Sequence, residues 1–254
     1  MSKVANDAVS VFDLSSAEEL ESAIKLLEKS LSIFEECDPS MKKIPNLFYD
    51  TYNNTARCFN LRGDIDTSLL YLLKARESIM LLAESQSPGS VTPIPELNFN
   101  ICNAYIYMGN MQKALEYADY VVDSSQLCVS FYHRKLSEEE EKETLEKEEQ
   151  ENLSIIYVGQ LNLNIHGLQT KGQVYEKMKC HQEAVGQYEQ ALSLVEENFG
   201  NSHKLYIELK QQIQEALISQ KAQNYTGKQD SANKRAGSFF DDKQEKSAKA
   251  KRPQ

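Results

Sequence analysis

A chain of 254 residues with 41% hydrophobic and 26% charged content can build one sizeable globular domain or two small ones. No apolar run approaches the roughly 18 residues needed to cross a bilayer, and the N-terminus lacks the basic start and apolar core of a secretory signal. The net charge of −10 disfavours nucleic acid as the partner of the folded part.

In chain order, residues 1–15 read as a flexible N-terminal tail. Ser16 and Glu19 have the spacing of a capping box, so a helix is expected to begin there. Leu20, Ala23, Ile24, Leu27, Leu31 and Phe34 then form an apolar stripe at helical spacing. Asp38-Pro39-Ser40 ends it, because Pro disfavours helical geometry in the residue before it. Two helix pairs follow. Their expected bounds are about 46–61 with 64–83, and about 96–108 with 111–128. The linker between them, Ser85 to Pro95, holds three of the six prolines and is expected to be non-helical.

An acidic insert covers about 137–152, with nine Glu against two Lys between Glu138 and Glu151. Such a block is solvated, but Glu, Lys and Leu are good helix formers. The expectation is a partly helical projection leading into Leu153, Ile156, Tyr157, Leu161 and Ile165. A third pair turns at Lys177–His181. A last helix carries the stripe Leu205, Leu209, Ile213 and Leu217. From 226 the chain is polar and its charge reverses, with eight Lys or Arg against four Asp or Glu after Gly227. That composition predicts a disordered basic C-terminal tail.

The pairs share a pattern. Gly172, Tyr175, Ala184, Tyr188 and Ala191 are spaced by three, nine, four and three residues. Cys102, Tyr105, Ala114, Ala118 and Val121 repeat the steps, as do Ala56, Phe59, Ser68, Leu72 and Ala75. Small residues facing large ones let two antiparallel helices approach closely. The steps resemble the tetratricopeptide repeat signature. Thr55 and Lys171 depart from it by standing where the family prefers Leu, and Ala118 replaces an aromatic. The stretch through Phe199, Gly200 and His203 is weakly similar to the long-helix repeats of kinesin light chains. The resemblance implies an all-α fold, a tetratricopeptide-type antiparallel helix-pair solenoid (a right-handed superhelix) with terminal capping helices, spanning about 16–225.

Catalytic signatures are missing: no phosphate-cradling Gly-rich loop, no H-E-x-x-H, no G-x-S-x-G. The four His have no ligand spacing, and the five Cys are scattered without a C-x-x-C pair. No metal, cofactor or disulfide framework is expected, and no enzyme. Cys180 and His181 are adjacent but fall in a predicted turn and point apart.

In a tetratricopeptide stack the first helices line a concave groove. The resemblance assigns to it Asn53, Asn54, Arg57 and Asn60, then Phe99, Asn100, Asn103 and Tyr107, then His166, Gln169, Gln173 and Lys177. Amides both donate and accept, so a row of them can pair with the backbone of an extended peptide. The expected function is a non-catalytic, cytoplasmic adaptor or scaffold with protein partners. The alternatives are a subunit of a cytoskeletal or ciliary assembly using convex surfaces, and an enzyme or regulator on a helical bundle. Binding of chaperone C-terminal tails is disfavoured. Asn100 matches one position of that clamp, but Asn53, Arg57, His166 and Thr170 supply the wrong groups at the others. In the C-terminal tail, Phe239 and Phe240 stand out as a candidate docking motif.

Overall fold

The computed structural model describes residues 16–85, 94–142 and 147–225. The N-terminal tail, most of the linker, the centre of the acidic insert and the basic C-terminal tail lie outside them. Every regular element among the described residues is a helix. They divide into two units, one ending at Met178 and one beginning at Lys179.

The first unit holds α1 (Ala17–Cys37), α2 (Pro45–Leu61), α3 (Ile65–Ser85), α4 (Ile94–Tyr107), α5 (Met111–Lys142) and α6 (Lys147–Lys177). Each packs on its successor, and α4 also touches α6. The capping box forms at α1: Glu19 N–H donates to Ser16 Oγ at 3.2 Å, and Ser16 N–H to Glu19 Oε2 at 3.1 Å. Ala23, Ile24, Leu27, Leu31 and Phe34 are buried, as the stripe predicts.

Asp38 closes α1 and turns the chain toward α2. Its carboxylate accepts the N–H of Lys43 at 2.7 Å, the N–H of Ile44 at 3.3 Å and the Ser40 hydroxyl at 3.0 Å. Burial opposes ionisation, but these donors together hold the Asp38 carboxyl below its ordinary range. A lowered folded-state pKa stabilises the fold above the unfolded value and loses that effect as pH falls through the folded one. Wild type should therefore melt above Asp38→Asn at neutral pH. The gap in Tm should narrow as pH falls below about 4 and through the lowered folded-state value. A gap independent of pH would assign the difference to something other than ionisation.

The repeat steps return as equivalent environments. Ala56, Cys102 and Gly172 are all buried, on α2, α4 and α6. Seven residues after each comes the same left-handed backbone position: Gly63 (φ 83°), Gly109 (φ 75°) and Lys179 (φ 63°). In the first two turns the chain is closed by Asp64 N–H to Phe59 O and Asn110 N–H to Tyr105 O, both 2.9 Å. Asp64 and Asn110 then cap the next helix through Thr67 N–H at 3.1 Å and Lys113 N–H at 3.2 Å. Lys179 carries a Cβ where the other turns have none. Lys179→Gly should therefore stabilise the second unit by about 0.5 to 1 kcal/mol, read as a rise in Tm.

The small–small contacts are also hydrogen-bonded. Ser68 Oγ donates to Ala56 O at 2.8 Å, and Cys102 Sγ donates to Ala114 O at 3.2 Å. These are corresponding positions with the donor moved to the opposite helix. Burial pushes the Cys102 thiol up to about 12, so it stays a neutral donor. The departures from the signature find local partners. Thr55 Oγ1 donates to Thr51 O at 2.7 Å. Lys171 Nζ pairs with Asp119 on α5 at 2.7 Å. Ala118 is buried beside Tyr117, which supplies the missing ring. Tyr117 packs on Tyr105 at 5.5 Å, as Tyr71 stacks on Phe59 at 5.4 Å one repeat earlier.

The linker's ends are helical: Ser85 closes α3, and Ile94 and Pro95 open α4, where a missing N–H costs nothing. The insert is helical on both sides of its centre, as expected. It lengthens α5 and α6 to 32 and 31 residues, nearly twice α2. These two run antiparallel, with Asn164 Nδ2 donating to Val122 O at 3.0 Å and Ser125 Oγ at 2.9 Å.

The second unit contains α7 (His181–Phe199) and α8 (204–225). Gly200 (φ 81°) ends α7, and the Phe199 and His203 rings stack at 5.1 Å. Leu205 N–H donates to His203 Nδ1 at 3.3 Å at the start of α8. The buried seam of α8 includes Leu209 and Ala216, whereas Leu217 is exposed. Two turns separate Leu209 from Ala216, which keeps the seam on one face where Leu217 would rotate off it.

Candidate functional site

A cleft of about 350 Å³ opens between α2, α3 and α4. Its apolar wall is formed by Ala56, Ile65, Leu72 and Ala104, and its polar wall by Arg57, Asn60, Asn100, Asn103 and Tyr107. Helical spacing explains the grouping. Residues 57 and 60 share one face of α2, and residues 100, 103 and 107 share one face of α4. The turns at Gly63 and Gly109 end α2 and α4 at corresponding points, which sets the two faces side by side.

The polar groups differ in character. Asn60, Asn100 and Asn103 are exposed, and Tyr107 is 76% exposed, so a large ring stands at the mouth without a covering neighbour. Arg57 is half-buried and is the charged residue among the lining side chains. Ser68 also lines the cleft, but its hydroxyl hydrogen is committed to Ala56 O. Hydrogen bonding to a ligand therefore falls first to the exposed amides, over an apolar floor.

Five of the sequence-derived residues meet here: Arg57, Asn60, Asn100, Asn103 and Tyr107. The others do not line this cleft. Asn53, Asn54 and Phe99 are half-buried on the same helices, and the Asn53 Oδ1 atom is buried without a hydrogen-bond partner. His166, Gln169 and Gln173 lie on α6, where His166 Nδ1 and Gln169 Oε1 are 3.3 Å apart. Lys177 is exposed at the end of that helix. Ile65, Ser68 and Leu72 line the cleft from α3 and escape a reading confined to first helices. A signal for them exists, since a second helix offers its small and apolar steps to the side where the next pair packs.

Behind the cleft, Arg76 on α3 fixes its neighbour. Its Nε donates to the buried Asn98 Oδ1 at 3.2 Å, and its guanidinium lies 5.8 Å and 5.2 Å from the rings of Tyr117 and Tyr120. One side chain thus joins α3 to α4 and α5. Gln160 on α6 donates to Glu96 on α4 at 2.9 Å, adding a polar tie to the next pair.

No family model matches the sequence, and no curated protein does. Solved structures do match. A Podosopora anserina protein described as a putative kinesin light chain with nearly identical TPR-like repeats superposes with a TM-score of 0.56 at 15% identity, over 99% of this chain and 98% of that one. A single-residue variant of that protein gives 0.57 at 15% identity, over 88% and 89%. The fold is a tetratricopeptide-like helical repeat.

In tetratricopeptide terms, α2–α3 and α4–α5 are consecutive pairs, and α1 occupies the place of a preceding second helix. The cleft is then bounded by one full pair and the first helix of the next. Among the described residues, no group of three or more His, Cys, Asp or Glu is arranged to hold a metal. No helix there is long and apolar enough to cross a membrane.

Proposed function

We propose that this chain is a non-catalytic adaptor that holds an extended peptide segment of a partner protein in the cleft between α2, α3 and α4. The observation that carries the reading is the convergence of three exposed amides, one guanidinium and an open tyrosine ring over an apolar floor. Amides serve a peptide backbone whatever its side chains, the floor takes one aliphatic group, and Arg57 favours a nearby carboxylate. Tyr107 is the natural anchor, since exposed aromatics dominate binding energy when covered.

The test is co-purification from native cells with wild type and with Asn100→Ala/Asn103→Ala. Loss of a subset of partners, by about tenfold or more, supports the cleft. An unchanged partner set removes it.

A second reading, a subunit of a larger assembly such as a cytoskeletal or ciliary one, is favoured by a different observation. Leu127 and Ile155 on the long α5 and α6 are 73% and 69% exposed. Apolar side chains that open to solvent suit a protein contact. A Leu127→Asp/Ile155→Asp variant that loses partners retained by the cleft variant would transfer the function to that surface.

A further inference from the structure

We propose that, without a partner, the cleft is filled by the chain's own N-terminal segment, residues 7–14. The proposal rests on the peptide-binding reading and adds the resident occupant and a means of regulation. Glu21, in the second turn of α1, pairs with Arg62 at 3.1 Å. Arg62 lies in the turn between Asn60 and Ile65, both of which line the cleft. The start of α1 is therefore at the same end of the first unit as the cleft. Leu61, 59% exposed, lies beside that turn as an apolar stepping point. The nine residues from Ser16 back to Asp7 reach about 30 Å when extended, enough to pass Leu61 and run along the cleft.

Residues 7–14 read Asp-Ala-Val-Ser-Val-Phe-Asp-Leu. They hold no Pro, so every backbone N–H can meet an amide. Val9 and Val11 alternate, which puts both on one side of an extended chain. Asp7 and Asp13 are negative, no Lys or Arg lies between Val4 and Ser16, and the cleft's charged side chain is Arg57. Such a segment would match an apolar floor with one guanidinium beside it.

The cost to a competing peptide follows from tethering. A short flexible tether gives an effective concentration near ~1 mM, so a segment that binds as a free peptide at ~0.1 mM weakens competitors about tenfold. The experiment uses a fluorescent synthetic peptide of residues 4–15, titrated by anisotropy into the full chain and into the full chain with Val9→Ser, Val11→Ser and Phe12→Ser. The substituted chain should bind about tenfold more tightly. Equal affinities, or no binding to the substituted chain, would overturn the proposal.

Hydrogen exchange gives an independent reading. Amides of residues 7–14 should be protected in the wild-type chain and lose protection in Asn100→Ala/Asn103→Ala. Unprotected amides in wild type would contradict self-occupancy. Protection that grows with protein concentration would place the segment on a second copy and overturn the intrachain form. If array-selected peptides need Asn100 and Asn103 but bind both chains equally, self-occupancy fails and the cleft stands. If they ignore those residues, the cleft reading itself fails.

Discussion

Phe48→Ala is expected to cost about 3 to 5 kcal/mol, through lost burial and the cavity left behind. Phe48 is fully buried at the junction of α1 and α2. It meets Phe34 edge-on at 5.8 Å and stacks on Tyr52 at 5.8 Å. Tyr52 in turn donates to Glu35 on α1 at 3.0 Å. Truncation therefore empties the site and loosens the tie that holds α1. In a repeat stack each element is stabilised by its neighbours alone, so damage stays local. Hydrogen exchange should accelerate in α1 and α2 and stay near wild type in α5 and α6. Uniform acceleration across all six helices would show one cooperative unit instead.

Gly167→Val should cost about 2 to 3 kcal/mol, by overpacking. A Cβ at Gly167 would lie 2.8 Å from Val121 Cγ1 and 3.4 Å from Val122 Cγ2. Val121 is fully buried and cannot swing away. The helices would have to part, which would break the two bonds that Asn164 makes one turn away. Gly167→Ala should cost about 1 kcal/mol, because the gain in helix propensity offsets part of the clash. Adding Val121→Ala should recover much of the loss. Additive effects in the double variant would mean that the two sites do not meet.

Much of the fold is legible because small residues at fixed steps leave a mark that composition cannot mimic. Ala56, Cys102 and Gly172 align from sequence, and the backbone repeats with them down to the left-handed turn position. Tyr71 and Tyr117 escape the pattern, because the family's aromatic is expected one residue later, at Leu72 and Ala118. Gly167 and Asn164 are invisible for a different reason. Each matters only through a partner some forty positions away, and periodicity within one helix does not report that. The acidic insert is ambiguous because the same glutamates suit a solvated coil and a helix. The helix is present up to Lys142 and again from Lys147. For the cleft, first-helix residues are readable from the repeat register. The contribution of α3 is not, because Ser68 and Leu72 serve packing and lining together.

The most direct measurement is amide and side-chain NMR mapping of an array-selected peptide on the full chain. The largest shift changes should fall on Asn60, Asn100, Asn103 and Tyr107, and vanish with Asn100→Ala/Asn103→Ala. Changes centred on Leu127 and Ile155, with the cleft silent, would contradict peptide binding in the cleft.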